Sequence, residues 1–294
     1  MHDTVSDLVE MPVPDALLFD RLLVSKLALE SRRVSVAKFK THVETILTFS
    51  LKNMKGCIGG QRQGDAESLR VEFHLRGLNQ ALVDVNKLLR PDFALVEGLA
   101  AMEGIGPGRW ISHMRHDAGV LAGGFDPVAV DAVCCAIAGT EPSQIKHVML
   151  AAEAGLGTAD LAGIRLVGTP LREARIPDFV LPTGNVAEMS PDPNLLITNG
   201  GACSHCISAL TGAMAMVKKD TLRQGLRSPL EVVMGKEARP KQDPSRRITL
   251  GRCSRHLVGP GTEEVTGCPA TASYIVRALE AIARREESQA AGGR

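Results

Sequence analysis

The chain has 294 residues, a net charge of +1, 44% hydrophobic residues and 23% charged residues, which are ordinary values for a globular protein. This length allows one large domain or two smaller ones, and the near-neutral charge provides no overall field for nucleic acid or acidic membranes. Aromatic residues make up only 3%, which argues against a nucleic-acid surface built on base stacking.

The N-terminal residues differ from a targeting segment. They are acidic, contain Pro12 and Pro14, and lack the basic and apolar stretches of a secretory signal. No run of about 18 apolar residues occurs, so the sequence predicts no membrane partner and no membrane span. Seven cysteines without a signal disfavour a disulfide framework. We therefore predict a cytoplasmic protein whose cysteines bind metal or lie buried.

The first elements in the chain are a predicted strand and a predicted helix. Val34–Phe39 alternates in the way typical of a strand. The apolar residues from Val43 to Met54 recur at helical spacing, and Thr41 provides an N-cap. This helix would place His42 at its start and Lys52 near its end.

Helices and strands continue to alternate as far as residue 168. Asp126 and Pro127 have the residue types of an N-cap and a first helical position, so they predict the start of an apolar helix. The predicted elements are a helix over 75–89, strands over 93–96 and 120–124, helices over 127–138 and 143–154, and a strand over 164–168. Such alternation predicts an α/β architecture.

The second half of the chain predicts a smaller lobe. Residues 170–193 contain five prolines and predict a linker. The elements predicted after it are strands over 195–198, 231–234 and 247–250, and helices over 203–219 and 270–284. Residues 286–294 are polar and glycine-rich and predict a disordered tail. The predicted fold is α/β with two lobes, residues 1–169 and 194–285, each a mixed or parallel sheet with flanking helices.

Four cysteines have spacing that suits a metal or iron–sulfur site. Cys203 and Cys206 form a C-x2-C pair, and Cys253 and Cys268 follow singly, with Pro269 after the last. Thiolates bind zinc and iron–sulfur clusters, and the start of a helix at Cys203 would favour negative charge. The wide spacing fits a zinc finger poorly. We predict a 4Fe–4S cluster on these four cysteines, with zinc or simply buried thiols as alternatives.

Basic residues of the first lobe form a second candidate site. Lys38, Lys40, Lys52 and Asn53, beside His42, suit an anionic group such as a carboxylate or a phosphate. The same residues are also typical of a solvated, basic helix end.

Acidic residues and glycines add to this candidate site. Glu103 lies before a glycine-rich run that follows a strand, where α/β proteins bind ligands, and Gly104 and Gly106 in that run also suit a tight turn. Asp126 fits a simple N-cap. Asp131 lies within an apolar helix and needs a partner, which a lysine of the basic group would provide.

These motifs occur together in one known family. The motifs are Lys38-x-Lys40-Thr41-His42, Lys52-Asn53-x-x-Gly56, Met102-Glu103-Gly104-x-Gly106-Pro107 and Asp126-Pro127-Val128-Ala129-Val130-Asp131. In this order they closely resemble the uncharacterised family catalogued as domain of unknown function 362, over roughly residues 20–168. Many members carry an iron–sulfur module, usually ferredoxin-like, so the resemblance implies one here. The cysteines of this chain are more widely spread than a ferredoxin run. The resemblance implies a fold and a site location but no reaction.

Together these patterns predict an iron–sulfur oxidoreductase or electron-transfer protein that acts on a small anionic substrate, with a redox partner protein and no nucleic acid. The predicted catalytic residues are Lys40, His42, Lys52 and Asp131. The predicted substrate-binding residues are Lys38, Asn53, Glu103, Gly104, Gly106 and Asp126. One alternative is a non-redox enzyme with a divalent metal on Glu103, Asp126 and Asp131 and a structural cysteine site. Another is an iron–sulfur carrier or scaffold.

Overall fold

The computed structural model describes residues 7–59, 69–105, 112–182, 186, 190, 192–217 and 226–292. They fold into two units, which we call unit 1 (the described residues from 7 to 182) and unit 2 (those from 186 to 292). Both units combine helices with β-sheets, so the predicted two-lobed α/β class is confirmed. The division between the units falls within the residues that the sequence assigns to a linker.

Unit 1 contains seven described strands and seven described α-helices. The strands are β1 (Leu8–Pro12), β2 (Arg21–Ser25), β3 (Val34–His42), β4 (Ile46–Thr48), β5 (Phe93–Gly104), β6 (Ser112–Arg115) and β7 (Val120–Gly124). The helices are α1 (Lys26–Glu30), α2 (Ser50–Asn53), α3 (Leu69–Arg76), α4 (Leu78–Leu89), α5 (Pro127–Ile137), α6 (Lys146–Glu153) and α7 (Leu171–Ala174). Short 3₁₀ helices span Met54–Cys57, Pro142–Gln144 and Leu161–Gly163.

The main sheet of unit 1 is mixed. Its order is β4-β3-β5-β6, and β7 also pairs with β5, while β1 and β2 form a separate antiparallel pair. Strands β3 and β5 are parallel, and the other pairs in the sheet are antiparallel. Alternate residues of β3 are buried, so Phe39 enters the core and packs against Phe49 with ring centroids 4.9 Å apart. Lys40 lies on the opposite face of the strand.

The helix predicted over Val43–Met54 is wrong. Strand β3 continues to His42, and the chain then turns into β4, which pairs antiparallel with β3 before the short helix α2 begins. The β-branched residues of this stretch, which favour an extended backbone, are Thr41, Val43, Thr45, Ile46 and Thr48. The apolar spacing that imitated a helix therefore belongs to a hairpin followed by one helical turn.

Residues 164–182 also differ from their prediction. The strand predicted over 164–168 is absent from this described segment, and Val167 is 86% exposed, so no neighbouring strand covers it. Residues 170–182, assigned by sequence to the linker, pack into unit 1. They include α7 and the buried side chains of Ile176 and Phe179, and the Ile176 N–H donates to the Ile137 carbonyl at 2.9 Å. Burial of these apolar side chains fixes the segment to unit 1.

Unit 2 is built on a parallel sheet. Its described elements are β8 (Leu195–Asn199), α8 (Ser204–Met216), β9 (Leu230–Met234), β10 (Arg247–Leu250), β11 (Glu263–Val265) and α9 (Ala272–Gly292), with 3₁₀ helices at Pro244–Arg246 and Arg252–Leu257. The sheet order is β11-β10-β9-β8, and all of its pairs are parallel. Every residue of β9 is buried, as is typical of a central parallel strand.

The predicted disordered tail is wrong for residues 286–292, which continue α9. Glu286 in this helix accepts a hydrogen bond from the backbone N–H of Arg227 at 3.0 Å and forms an ion pair with Arg246. These contacts extend the helix beyond the point at which its apolar pattern ends. Of the helices in the described ranges, none has the combined length and apolar character that a bilayer span requires.

Candidate functional site

A group of lysine and histidine side chains meets near the end of strand β3. Lys40 and His42 lie two residues apart in β3 and so share a face. Lys52 comes from α2, Lys55 from the following 3₁₀ helix, and His74 from α3. Burial lowers the pKa of His42 most, and the charges of Lys52, His74, Lys40 and Lys55 lower it further, which places all five near one another. We call these five residues the lysine–histidine cluster.

His42 is a neutral hydrogen-bond donor in this cluster. Its ring is buried, and its pKa lies far below the ordinary histidine value, so the ring is uncharged at neutral pH. The backbone N–H of Glu44 donates to Nδ1 at 3.2 Å, which leaves the ring proton on Nε2. His42 therefore offers an N–H group to a bound molecule, and not a positive charge.

Lys52 is surrounded by positive charge. Burial first, then Lys40, then Lys55 lower the pKa of Lys52 well below the ordinary lysine value, while Glu44 acts in the opposite direction. Glu44 lies 2.7 Å from Nδ1 of His74, and Nε2 of the same ring lies 2.7 Å from Lys55 Nζ. Neither Lys40 nor Lys52 has a carboxylate in contact among the described residues. A bound anion would supply the missing negative charge.

His147 of α6 lies close to Lys52. It is only 1% exposed, and both of its ring nitrogens are buried without a hydrogen-bond partner among the described residues. Burial, with a smaller effect from Lys52, lowers the pKa of His147 to about 3. A neutral, unpartnered imidazole beside a lysine is unusual, because buried polar atoms normally find partners.

Asp131 anchors α2 and does not pair with a lysine. Its carboxylate accepts hydrogen bonds from the backbone N–H and the hydroxyl of Ser50, at 2.9 and 2.6 Å, and from the backbone N–H of Leu51 at 3.0 Å. The predicted lysine partner is therefore wrong, because the first residues of α2 occupy both oxygens. Burial raises the pKa of Asp131 to about 7 against the effect of these bonds. Asp131 is a positioning residue for the helix that carries Lys52.

Asn53 has a similar role at the other end of α2. Its Nδ2 donates to the Ser35 hydroxyl at 3.1 Å and to the Val36 carbonyl at 3.3 Å, and both partners belong to β3. Asp131 and Asn53 thus hold α2 from two sides. Lys52 lies in a short helix whose position is fixed by five hydrogen bonds.

The other residues predicted to bind substrate have structural partners. Lys38 forms an exposed ion pair with Glu97. Glu103 accepts hydrogen bonds from Arg115 at 3.3 Å and from the backbone N–H of Val180 at 3.1 Å. Gly104 has φ of 80° and donates its N–H to the Val180 carbonyl at 2.7 Å, and Gly106 lies outside the described residues. These contacts join β5 to the segment around Val180.

Asp126 is the N-cap of α5, as the sequence predicts. It accepts from the backbone N–H groups of Val128 and Ala129 at 2.9 and 3.0 Å, and from that of Thr158 at 3.0 Å. A Cβ at Gly157 would lie 1.9 Å from Asp126 Oδ1, so this loop approaches the cap closely. The Asp126 carboxylate already accepts three hydrogen bonds within unit 1, which argues against its use as a ligand in the divalent-metal alternative.

The four cysteines of unit 2 lie in loops at the carboxyl edge of the parallel sheet. Cys203 is the N-cap of α8 after β8, and Cys206 lies in the first turn of that helix. Cys253 lies in the 3₁₀ helix after β10, and Cys268 follows β11. Parallel strands end at the same edge, which is where α/β folds bind ligands.

Backbone contacts tie these loops together. The N–H of Gly251 donates to the Val265 carbonyl at 2.9 Å, and that of Arg252 donates to the Gly267 carbonyl at 3.1 Å. Gly251 has φ of 79°, and a Cβ there would lie 2.8 Å from Cys206 Sγ. Glycine therefore allows the loop after β10 to approach the cysteine pair.

The four thiols influence one another. A hydrogen bond from Cys206, followed by contacts with His205, lowers the pKa of Cys203, and the pKa of Cys206 is raised in turn. Burial and then Cys203 raise the pKa of Cys253 and of Cys268. Across the described ranges, however, no group of three or more histidine, cysteine or acidic residues is arranged to hold a metal ion. The loops thus bring the thiols near one another without forming a closed set of ligands.

No motif in the sequence indicated His74 of the lysine–histidine cluster or its neighbours His147 and Glu44. His74 and His147 lie in helices with no motif around them, and Glu44 was assigned to a helix that does not form. Only the tertiary fold brings them to Lys52. The remaining cysteines, Cys134 and Cys135, are buried in the core, and Cys57 is half-buried.

Comparison with known proteins finds partial matches to one family model and one curated relative. Residues 2–136 match the family described as Domain of unknown function (DUF362). The DUF362 match includes β3, α2 and Asp131 but none of unit 2. The chain is also 28% identical over 150 residues to the thylakoid-associated protein sll1697 of Synechocystis, which covers 49% of this chain and 43% of that protein. The chain thus spans less than half of this curated relative. No solved structure matches the chain significantly.

Proposed function

We propose that the protein binds an iron–sulfur cluster through Cys203, Cys206, Cys253 and Cys268 and uses it in a redox reaction on a small anion. The observation that supports the cluster most directly is that all four cysteines follow the carboxyl ends of strands in one parallel sheet, after β8, β10 and β11. Cysteine thiolates from separate loops are the ordinary ligands of such clusters.

The surroundings of the thiols suit a cluster. Cys203 lies at the N-terminus of α8, where the helix dipole favours negative charge. The backbone of Ala270 lowers the pKa of Cys206, and that of Gly235 lowers the pKa of Cys253, each against the larger effect of other groups and burial. Hydrogen bonds to sulfur tune the reduction potential of a cluster. When bound, the cluster would supply single-electron transfer.

The lysine–histidine cluster is the observation that supports an anionic substrate. Lys40 and Lys52 have no carboxylate in contact within the described part of the chain, and His42 presents an N–H donor beside them. A carboxylate or phosphate would pair with Lys40 and accept a hydrogen bond from His42. In this proposal the site lies in the DUF362 region, and a partner protein exchanges electrons with the cluster. The cytoplasmic location stays a prediction from the sequence.

Anaerobic reconstitution tests the cluster. Wild-type protein is expected to take up iron and sulfide and to give the visible and paramagnetic-resonance spectra of a cluster. Cys268→Ser is expected to lose or alter it. Cys57→Ser is a matched control, because Cys57 is a free, half-buried thiol of unit 1.

The outcomes of this experiment separate the alternatives. A colourless, iron-free protein would overturn the proposal. Zinc without sulfide would favour a structural metal site and a non-redox enzyme. Transfer of the cluster to an acceptor protein would favour a carrier or scaffold.

A further inference from the structure

Lys52 differs from most lysines of unit 1 in having no hydrogen-bonding partner within the described ranges. Lys26 is paired with Glu30, Lys38 with Glu97, and Lys55 with His74. An unpaired lysine on an exposed surface would be unremarkable, because water would solvate it. Lys52 is instead half-buried, in a cluster that already contains other positive charges.

The position of Lys52 is fixed. Asp131 binds the first residues of α2, and Asn53 binds β3, so the helical turn that carries Lys52 is held at both ends. Asp131 is itself fully buried in α5. A reactive group needs such support, because loosely held side chains rarely keep a productive geometry. Unit 1 thus uses the buried Asp131 and the exposed Asn53 to place one amine.

The surroundings of Lys52 favour its neutral amine form. Burial and the charges of Lys40 and Lys55 both disfavour an ammonium ion at this position. The unpartnered, buried ring nitrogens of His147 add an independent sign of polar groups that the fold itself does not satisfy. A lysine that is desolvated and lies next to other cations is the arrangement that activates an amine as a nucleophile towards carbonyl groups.

We propose that Lys52 is a nucleophilic amine that forms an imine with a small 2-oxo carboxylate, and that Lys40 binds the carboxylate of this molecule. This inference rests on the anionic substrate of the proposed function and names its chemical class. The neutral His42 N–H is placed to donate to the carbonyl oxygen and to polarise the carbonyl bond.

The reaction balances without any further reagent. The lone pair of Lys52 Nζ attacks the carbonyl carbon, and the carbonyl π electrons move to oxygen, which takes up a proton. Nζ then loses a proton, the hydroxyl group is protonated and leaves as water, and a carbon–nitrogen double bond forms as a protonated imine. Loss of the remaining Nζ proton gives the neutral imine and returns the second proton taken up by the oxygen. One amine and one carbonyl thus give one imine and one water, with no change of oxidation state.

Trapping with sodium cyanoborohydride tests the proposal on the full chain. This reagent supplies hydride to the imine and leaves a stable secondary amine on the lysine. With pyruvate at neutral pH, peptide mass spectrometry is expected to find label on Lys52 at least about tenfold faster than on the exposed Lys26 and Lys146. Lys52→Arg should remove this fast label, and Lys26→Gln should not change it.

A second comparison tests the role of Lys40. Acetone presents the same methyl ketone without a carboxylate, so Lys52 should prefer pyruvate over acetone in the wild type. In Lys40→Gln, the ratio of the pyruvate to the acetone labelling rate should fall about tenfold, while the circular dichroism spectrum stays that of the wild type. Labelling of Lys52 at the rate of exposed lysines would overturn the proposal. An unchanged preference in Lys40→Gln would overturn the assignment of Lys40.

Two further measurements on the same samples separate this inference from the proposed function. Oxalate is a dicarboxylate that has no ketone, and its binding by calorimetry reports the anion site alone. Oxalate binding with no label on Lys52 would overturn imine formation and leave the anion site standing. Iron and sulfide contents report the cluster independently of both.

Discussion

Replacing His147 with leucine should stabilise unit 1. The imidazole is 1% exposed, and neither ring nitrogen has a partner within the described part of the chain. Each unsatisfied buried polar group costs about 1–3 kcal/mol. Leucine has a similar size and no polar atoms, so His147→Leu removes this cost with little change of packing. We expect the free energy of unfolding of unit 1 to rise by about 1–2 kcal/mol at pH 7.

The same substitution should also change the pH dependence of stability. Burial and Lys52 lower the pKa of His147 from 6.5 to about 3, so between these values the unfolded chain binds a proton that the folded chain excludes. Above pH 6.5 the free energy of unfolding does not depend on this proton, and it decreases as the pH falls from 6.5 to about 3. The loss approaches about 5 kcal/mol over the whole interval and reaches about 2 kcal/mol at pH 5. His147→Leu avoids it.

Hydrogen exchange resolved by peptide mass spectrometry measures this effect in unit 1 separately from unit 2. Amides of β3 and β5 report unit 1, and amides of β8 and β9 serve as an internal reference. His42, whose pKa is also lowered, is present in both proteins and cancels in the comparison. Equal losses of protection in the wild type and the variant between pH 7 and pH 5 would refute the assignment to His147. A variant that is less stable than the wild type at pH 7 would show that the imidazole has a partner.

Three further predictions concern other contacts. Gly157→Ala would place a Cβ 1.9 Å from Oδ1 of Asp126, and we expect a loss of about 2 kcal/mol, detected as faster exchange in α5; wild-type protection would contradict this. Asp131→Asn replaces one of the two oxygens that accept the backbone N–H groups of α2 with an NH2 donor. The free energy of unfolding should fall by about 2–3 kcal/mol, and pyruvate should label Lys52 more slowly; labelling at the wild-type rate would contradict a positioning role. In cluster-free protein, iodoacetamide should alkylate Cys203 before the equally buried Cys206, because the pKa of Cys203 is lowered and that of Cys206 is raised; equal rates measured by mass spectrometry would argue against this.

Local chemistry in the sequence was sufficient for some elements of the fold. The start of α5 follows from an aspartate followed by proline, and the structure shows the predicted cap with bonds of 2.9 and 3.0 Å. Strands β8, β9 and β10 of unit 2 follow from short apolar runs that end near glycines, whereas β11 was not predicted. The stretch from Val43 to Met54 failed because apolar spacing alone does not separate one helix from a hairpin and a short turn. β-branched residues, a weaker signal, decided the outcome.

The candidate site was less accessible to prediction, because the use of a polar residue depends on its distant neighbours. Lys40, His42 and Lys52 were predicted from residue type, and the fold brings them together. Asp131 and Asn53 were assigned to substrate, yet their side chains bind backbone and hydroxyl groups that only the folded chain places beside them. Nothing in the sequence near His147 indicates that α6 brings it to Lys52.

The strand order of unit 2 also limits when the cysteine site can form during protein synthesis. Strand β10 lies between β9 and β11, so the loop after β10 cannot adopt its final conformation before β11 has been synthesised. A nascent chain that ends before Cys268 displays three of the four thiols and lacks the helix that closes the unit. Under the proposed assignment, iron and sulfide enter only after Cys268 has been synthesised. Products truncated before Cys268 would then remain without a cluster, so cluster content would distinguish them chemically from chains that include this cysteine.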